Sequence, residues 1–303
     1  MKNIAFFTNF YDYPKQKIIS SFENVFPKDI KMYFLCPESH IDKFELKRAE
    51  AVKLSNPLEL RKICRELNIN VLTNIGGSDK MAIVLILSTI FTDTKIIFHL
   101  RGNIFPKKMN GFKFKIICLI NNIRHISFFV FQFFFYRFFS ASKDITNKLR
   151  RIFFLSRNKI FFVPNTIETD LFKPKDKFLC RKKLGLNKED HIIIYVGRVH
   201  YLKGSDLLFK IIKRNRNKKF IIVGELMDKN FNVNLDNIIY HEYKTPEELV
   251  DYYNASDLCL FLSRIEGYGR VPREAMACGT PTIVSDIEAL NEINCAEKKK
   301  NEK

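Results

Sequence analysis

The chain has 303 residues, of which 46% are hydrophobic and 28% charged, with 51 Lys and Arg against 33 Asp and Glu. This length predicts about two domains, and the apolar fraction is sufficient for a large core, which excludes a disordered chain and a disulfide-stapled miniprotein. The net charge of +18 favours anionic partners such as nucleic acid, a membrane surface or phosphorylated small molecules, whereas A/T-biased codons, which enrich Lys, Asn, Ile and Phe, are the alternative explanation.

Targeting and redox signals are absent from the sequence. Only four consecutive apolar residues, at 4–7, follow the N-terminus, and a secretory signal needs about 7–15, so we expect a first buried strand there. The seven cysteines form no CxxC pair, which predicts reduced thiols in a cytosolic protein and no zinc site. The longest uncharged runs have 12 residues, among them 81–92 and 125–136, and a membrane span needs about 20.

A basic, aromatic segment lies at 101–159. It holds 13 Lys and Arg and a single acid, Asp144, interleaved with Phe. Such a surface favours docking on anionic lipid. For its apolar part, 116–139, a core helix followed by a buried strand and a transmembrane helix are the alternatives. We expect a cytoplasmic protein with peripheral contact on the inner face of the membrane.

Short apolar runs alternate with helical patterns along the whole chain. In the first half, strands are predicted at 4–8, 32–36, 71–74, 96–100, 137–140 and 160–163, with helices such as 57–67 and 143–153 between them. In the second half, strands are predicted at 192–196, 220–223, 238–240, 258–262 and 282–285. Continuous apolar strands that alternate with helices indicate parallel sheets covered on both faces. We expect an α/β fold of two Rossmann-like, doubly wound domains, 1–164 and 165–303, with a hinge near 164–175 and a cleft between them.

Local signals mark the ends of several helices in the second half. The sequence Thr-Pro-Glu-Glu at 245–248 is a capping box with proline at the first helical position. Ser205 is the predicted N-cap of a helix at 206–213. Pro272 and Gly279 bracket a short helix that we expect to carry Glu274 in its first turn.

The loop at 197–205 carries two cations, Arg198 and Lys203, after a predicted strand. A glycine turn, two cations and a helix N-terminus together make an anion site. The Arg guanidinium binds phosphate through two parallel hydrogen bonds, and the Lys ammonium supplies a point charge. A solvated loop of a Lys-rich protein has a similar sequence, so the loop alone leaves both interpretations open.

The second polar loop, at 263–281, follows another predicted strand. Gly267 and Gly269 allow backbone N–H groups to approach a ligand closely. Glu266 and Glu274 are eight residues apart, and carboxylates of this kind accept hydrogen bonds from sugar hydroxyls, although Glu274 complementing the helix dipole is the alternative. A glycosidase pair needs carboxyl groups about 5–9.5 Å apart, and eight helical residues rise about 12 Å, which disfavours that chemistry.

Together, the two loops resemble those of the retaining GT-B glycosyltransferases, specifically glycosyltransferase family 4. The Glu-x7-Glu motif of that family is matched by Glu266 and Glu274, followed by Ala-Met-Ala-Cys-Gly-Thr-Pro at 275–281. Phe-Val-Pro-Asn-Thr at 162–166 and Asp-Leu-Phe-Lys-Pro at 170–174 resemble the segment that joins the domains, and Ser-Ala-Ser at 140–142 resembles the end of the preceding strand. The resemblance covers 136–286 and is weaker before that.

The resemblance implies roles for the donor site. Arg198 and Lys203 would bind the donor diphosphate, Glu274 the ribose hydroxyls, and Glu266 the hydroxyls of the donor sugar. The loop whose backbone N–H groups would lie near the sugar or phosphate consists of Gly267, Tyr268 and Gly269.

The resemblance also implies the reaction. His99, in the sequence His-Leu-Arg-Gly at 99–102, would face the donor sugar near the reacting carbon, and a structural histidine at a strand end is the alternative. A sugar would pass from a nucleoside-diphosphate sugar to a cell-envelope glycan or glycolipid, with retention of configuration and without a cofactor or divalent metal. Glu-Thr-Asp at 168–170 is read as linker and not as a metal motif.

Two departures from the family pattern leave a second hypothesis open. The loop at 9–15 has no glycine, and the chain ends in a polar tail at 294–303 where the family continues, so we expect a second domain that is incomplete at its C-terminus. The second hypothesis is therefore an inactive or partner-dependent remnant that binds a nucleotide sugar without turnover. A nucleic-acid-binding protein is disfavoured, because no RNA- or DNA-binding motif is present.

Overall fold

The computed structural model describes residues 2–8, 23, 26–36, 46–56, 59–75, 79–89, 92–100, 133–153, 155–291 and 293. The chain divides into two units, Met1–Pro164 and Asn165–Lys303. The expectations for the loop at 9–15, for residues 101–132 of the basic segment and for the tail at 294–303 lie outside the described residues.

The described strands of the first unit form a parallel sheet in the order β3-β2-β1-β4-β5-β6-β7. The strands are β1 (Lys2–Thr8), β2 (Ile30–Cys36), β3 (Glu50–Lys53), β4 (Val71–Ile75), β5 (Lys95–Leu100), β6 (Arg137–Ser140) and β7 (Ile160–Phe162). The helices between them are α1 (Leu60–Glu66), α2 (Asp79–Thr89) and α3 (Lys143–Phe153). All six predicted strands of this half are confirmed. Strand β3 was not predicted, because its two apolar residues lie between Glu50 and Lys53 and form too short a run to be recognised.

The described strands of the second unit form a parallel sheet in the order β10-β9-β8-β11-β12. The strands are β8 (Ile192–Val196), β9 (Lys219–Val223), β10 (Ile238–His241), β11 (Leu258–Phe261) and β12 (Thr282–Val284). The helices are α4 (Lys177–Lys183), α5 (Ser205–Arg214), α6 (Pro246–Ala255), α7 (Arg270–Ala277) and α8 (Glu288–Asn291), and a 3-10 turn covers Tyr201–Lys203. The predicted parallel α/β fold is confirmed for both units.

Strand β8 shows why the apolar runs of this unit are continuous. All five of its residues are buried. Ile192, Ile194 and Val196 pack into one apolar cluster, and Ile193 and Tyr195 pack into another. Alternate residues of a strand point to opposite faces of a sheet, so β8 is covered on both faces.

The order of the strands determines where the second unit collects its polar loops. The neighbours of β8 are β9 on one side and β11 on the other. After β8 the chain therefore adds strands on one side of it first, and then crosses to add β11 on the other side. The loops after β8 and β11 therefore begin side by side at the carboxyl edge of the sheet. Ligands of open α/β sheets bind at such a switch point.

The predicted start of α6 is confirmed in detail. Thr245 Oγ1 accepts a hydrogen bond from the N–H of Glu248 at 3.3 Å, and the Glu248 carboxylate accepts one from the N–H of Thr245 at 2.8 Å. Pro246 occupies the first helical position. Two orphan N–H groups of the helix end are thereby satisfied by the sequence signal itself.

The described cysteines are free and buried: they are Cys36, Cys64, Cys180, Cys259 and Cys278. Burial raises the pKa of the Cys64 thiol to about 11 and that of Cys259 to about 12. These thiols therefore stay protonated and act as small apolar groups. No helix in the described part of the chain is long and apolar enough to cross a membrane.

Candidate functional site

The buried side chain of Tyr195 holds the backbone of the loop after β8 at two points. The hydroxyl of Tyr195 lies within hydrogen-bond distance of two carbonyl oxygens to which it can donate, that of Arg198 at 3.1 Å and that of Lys203 at 3.2 Å. Burial, with a smaller contribution from the charge of Glu266, raises the pKa of Tyr195, so the phenol remains a neutral donor. The backbone of Arg198 and Lys203, the two predicted phosphate ligands, is thus held by a buried side chain, while the Arg198 side chain is exposed.

The start of α5 differs from the prediction. Gly204, and not Ser205, is the N-cap, and it has a left-handed backbone with φ of +80°. A Cβ at Gly204 would lie 2.3 Å from the carbonyl oxygen of Leu262, so this close approach of two loops requires glycine. Ser205 is instead the first helical residue, and its hydroxyl bonds the carboxylate of Asp228 at 2.5 Å. The general preference for a serine N-cap is overridden here by the packing of the two loops.

Lys203 and Glu266 are brought into direct contact, as an ion pair between the ammonium and Oε1. The hydroxyl of Ser263 also bonds this oxygen of Glu266, at 3.2 Å. The Lys203 and Glu266 side chains retain 22% and 14% of their exposure, so the pair is shielded but reachable. The two loops therefore place a cation and a carboxylate side by side.

Glu274 lies in the second turn of α7, not in the first as predicted, because the helix begins at Arg270. It is 7% exposed. Its carboxylate pairs with Arg270 at 3.2 Å and accepts a hydrogen bond from the hydroxyl of Tyr253 at 3.3 Å. Burial raises the pKa of Glu274, and the positive charge of Arg270 opposes that rise. At this position the residue does not complement the amino end of the helix dipole, which weakens that alternative reading.

The glycine loop between the two glutamates is buried. Gly269 has φ of +73° and approaches α8 so closely that a Cβ there would lie 2.5 Å from Leu290 Cδ2. Arg273 covers the ring of Tyr268 at 3.7 Å and donates to the carbonyl oxygen of Gly269 at 2.9 Å. Among the backbone hydrogen bonds of the described residues, none has the N–H of Gly267, Tyr268 or Gly269 as its donor. These three residues precede Arg270, the first residue of α7, and their expected role near the sugar or phosphate of a donor stays a prediction.

His99 lies in the first unit at the end of β5. The side chain of Asn74 accepts a hydrogen bond from the His99 N–H at 2.9 Å and donates one to the His99 carbonyl at 3.4 Å. The imidazole packs edge-on against the ring of Phe139, with centroids 5.0 Å apart. The backbone of His99 is therefore anchored, and its expected role toward the donor sugar stays a prediction.

No group of three or more His, Cys, Asp or Glu side chains suited to a metal ion occurs in the parts of the chain described above. Glu168 and Asp170, read from the sequence as linker, belong to the start of the second unit, where the Glu168 carbonyl accepts hydrogen bonds from the N–H groups of Leu171 and Phe172. The negative charge of Glu168 adds to the rise in the pKa of Glu274.

Sequence reasoning missed the residues that support the predicted ligands. Tyr195 lies within the predicted strand at 192–196 without a separate role, Tyr253 has no predicted role, and Arg264 is read only as part of the loop at 263–281. Of the three, only Arg264 lies within a motif loop, so its charge, two positions before Glu266, is the one signal that the sequence offers.

One protein family and several curated proteins resemble part of this chain. Residues 176–301 match the family described as "Glycosyl transferases group 1". The D-inositol 3-phosphate glycosyltransferase of Segniliparus rotundus is 29% identical over 147 residues, which cover 44% of this chain and 33% of that protein. The matched part of the chain spans about a third of the length of the curated relatives it matches first.

Two solved structures show the same fold over nearly the whole chain. The Anabaena protein Alr3699/HepE, in complex with UDP-glucose, has a TM-score of 0.72 at 14% identity and covers 97% of this chain and 83% of its own. The sucrose-phosphate synthase of Thermosynechococcus elongatus has a TM-score of 0.74 at 15% identity and covers 96% of this chain and 83% of its own. At these identities the likeness concerns the fold alone.

Proposed function

We propose that this chain, which has the GT-B glycosyltransferase fold and matches the glycosyl transferases group 1 family at residues 176–301, transfers a sugar from a nucleoside-diphosphate sugar. The acceptor is a cell-envelope glycan or glycolipid, and the transfer retains the anomeric configuration. The observation that carries the proposal is the contact of Lys203 with Glu266. These residues belong to two different loops, which both begin at the carboxyl edge of one sheet. Glu274 lies on the helix that follows the second loop.

The diphosphate is the part of the donor that this loop pair suits best. Arg198 and Lys203 supply positive charge, and the amides of the glycine loop supply hydrogen-bond donors. As the bond between sugar and diphosphate breaks, negative charge develops on the leaving phosphate. Donors already fixed in place stabilise that charge without reorganising. Tyr195, through its bonds to both ends of the β8 loop, provides this fixation.

The two glutamates serve different parts of the donor in this proposal. Glu274 accepts hydrogen bonds from the ribose hydroxyls, and Glu266 accepts them from the sugar that is transferred. The buried setting of Glu274 supports a binding role, because burial raises its pKa even with two protein partners in place, so further hydrogen-bond donors from a ligand would stabilise the charged carboxylate. Its two protein partners, Arg270 and Tyr253, hold the carboxylate in one orientation.

The reaction needs no divalent metal in this proposal, because the chain itself supplies cations at the leaving group. His99 is a further proposed contact to the donor sugar. Replacing His99 with Ala is expected to lower turnover while nucleoside-diphosphate binding is retained. Equal turnover in wild type and variant would remove His99 from the proposed machinery.

We also propose a cytoplasmic location with peripheral contact on an anionic membrane. Support comes from the exposed aromatic side chains of Phe133, Tyr136 and Phe161. Arg137 lies over the rings of Tyr136 at 4.1 Å and Phe161 at 5.8 Å, and Lys95 lies over Tyr136 at 4.8 Å. Cations beside exposed rings suit the headgroup region of such a membrane.

The test of donor binding is thermal stability with UDP, GDP and ADP, each beside its phosphate-free nucleoside. A ligand at 100 times its Kd adds about 2.7 kcal/mol of stability. One diphosphate is expected to raise the Tm of wild type, with most of the shift lost in Lys203→Gln. The matched control is Lys210→Gln, which removes the same charge at an exposed position of the next helix. Absence of a shift with every diphosphate, or equal shifts in both variants, would contradict the proposal.

The test of transfer uses the nucleotide that binds, as its sugar conjugate, with a polyprenyl-linked glycan acceptor. Release of the nucleoside diphosphate and a product with the donor's anomeric configuration, read by NMR coupling constants, are the expected results. An inverted product would contradict retention and leave the donor assignment intact.

A further inference from the structure

The two donor loops lie far apart in sequence, and the side chain of Arg264 joins them in addition to the pair of Lys203 and Glu266. The guanidinium of Arg264 donates to both carboxylate oxygens of Asp206, at 2.7 and 2.8 Å. It also donates to the carbonyl oxygen of Tyr201 and lies over the Tyr201 ring at 4.0 Å. The backbone N–H of Arg264 donates to the carbonyl oxygen of Leu202 at 2.9 Å.

These contacts surround Lys203 on the chain. Tyr201 and Leu202 are the first two residues of the 3-10 turn that ends at Lys203, and Asp206 is in the first turn of α5. Arg264 stands two positions before Glu266, the partner of the Lys203 ammonium. One guanidinium therefore fixes the segment on both sides of Lys203 against the segment that carries Glu266.

The bonds of Arg264 distinguish it from the anion ligands. Its guanidinium pairs with Asp206 in the bidentate geometry that Lys cannot form, and its side chain is 20% exposed. The paired carboxylate neutralises the charge that a phosphate would otherwise meet. The residue therefore acts on the donor only through the loops that it holds.

We infer that Arg264 is a positioning residue: it holds the Tyr201–Lys203 turn against the Glu266 loop, so that Lys203 is presented to the donor diphosphate. This inference rests on the proposed function. It adds to the site a residue that touches no substrate atom but determines where the phosphate cation lies.

The first measurement is local hydrogen exchange of the ligand-free protein, which requires no donor. In wild type, the N–H of Lys203 donates to His200 and that of Gly204 donates to Tyr201. Faster exchange of these amides is expected in Arg264→Ala, with an intermediate rate in Arg264→Lys, which keeps the charge but loses the bidentate pairing. Arg264→Lys also serves if the Ala variant fails to fold.

The second measurement separates positioning from general loss of structure. We compare the affinities of each variant for the nucleoside diphosphate and for the corresponding nucleoside. Loss of the Lys203 contact is expected to weaken the diphosphate by about tenfold and to leave nucleoside affinity unchanged. A purely structural role would weaken both ligands equally.

The matched control is Arg181→Lys. Arg181 is a buried arginine that bonds Asp257 at 2.8 Å, and Asp257 in turn accepts a hydrogen bond from the N–H of Ile192 at the amino end of β8. Its replacement should lower the Tm without changing the ratio of the two affinities. The inference is overturned if exchange at the turn is unchanged in both Arg264 variants, or if that ratio stays at the wild-type value. Wild-type protein that binds no nucleoside diphosphate would instead refute the proposed function, and the inference with it.

Discussion

Replacing the buried Glu274 with Gln separates the stability of the fold from donor binding. The carboxylate is 7% exposed, and burial raises its pKa despite the nearby Arg270, so the fold carries a cost for keeping this group charged. A neutral amide of the same shape removes that cost and retains one acceptor oxygen for the hydroxyl of Tyr253. We therefore expect the ligand-free Glu274→Gln protein to be as stable as wild type or more stable.

Nucleotide binding is expected to change in the opposite direction. The amide keeps one acceptor oxygen but loses the negative charge and the second acceptor for the ribose. A hydrogen bond to a charged group contributes about 1.5–3 kcal/mol, which corresponds to roughly 10- to 200-fold in Kd for the one bond that is lost. Glu274→Ala loses both bonds and also leaves Arg270 and Tyr253 without their shared partner, so it should both bind more weakly and unfold at a lower temperature.

The assay is calorimetric titration with the preferred nucleoside diphosphate, paired with Tm values of the ligand-free proteins. Asp251→Asn is the control, since Asp251 is a second buried carboxylate of the same unit, paired with Lys175 at 2.7 Å and with Lys183. That variant should lose stability and keep its affinity for the nucleotide. A folded Glu274→Gln protein with wild-type nucleotide affinity would refute the assignment of Glu274 to the ribose.

Three further predictions concern the support of the site. Gly204→Ala places a Cβ 2.3 Å from the carbonyl of Leu262 in a left-handed residue, which should cost about 1–3 kcal/mol or more, measured by urea unfolding. Thr245→Ala removes the capping box and should cost about 1 kcal/mol in the same assay, with no effect on nucleotide affinity. Hydrogen bonds from Arg264 hold the pKa of Asp206 below its ordinary value. The pair therefore stabilises the fold above about pH 4 and loses that contribution as the pH falls through the lower folded value. Urea midpoints between about pH 3 and pH 7 should show a smaller acid dependence in Asp206→Asn, and an unchanged dependence would contradict the assignment.

The strands of the two parallel sheets were predictable, because a strand that is buried on both faces appears in the sequence as a continuous apolar run. Strand β8 is apolar at every position and was predicted with its observed bounds. The start of α6 was equally predictable, because its capping signal is local and spans only residues 245–248. Short β3 was not, since two apolar residues carry no periodicity.

The site was predictable only as far as its motif extends. Glu266 and Glu274 stand out because their spacing in one segment is fixed. The contacts of Arg264 with Asp206 and of Tyr195 with the backbone of Lys203 depend on β8 lying beside β11 and on the path of the loops. Strand order is a long-range property that no local pattern specifies. Ser205 was misassigned for the same reason, since the approach of Leu262 is visible only in three dimensions.

In the proposed function, the contact between Lys203 and Glu266 makes donor binding an exchange of one charged contact for another. In the ligand-free protein the carboxylate is already the counterion of the ammonium, so an arriving diphosphate replaces an internal anion and not only water or dissolved salt. Its affinity is then the difference between two charged contacts. In the proposed function, the displaced Glu266 would then be able to accept hydrogen bonds from sugar hydroxyls, which would couple phosphate binding to sugar binding.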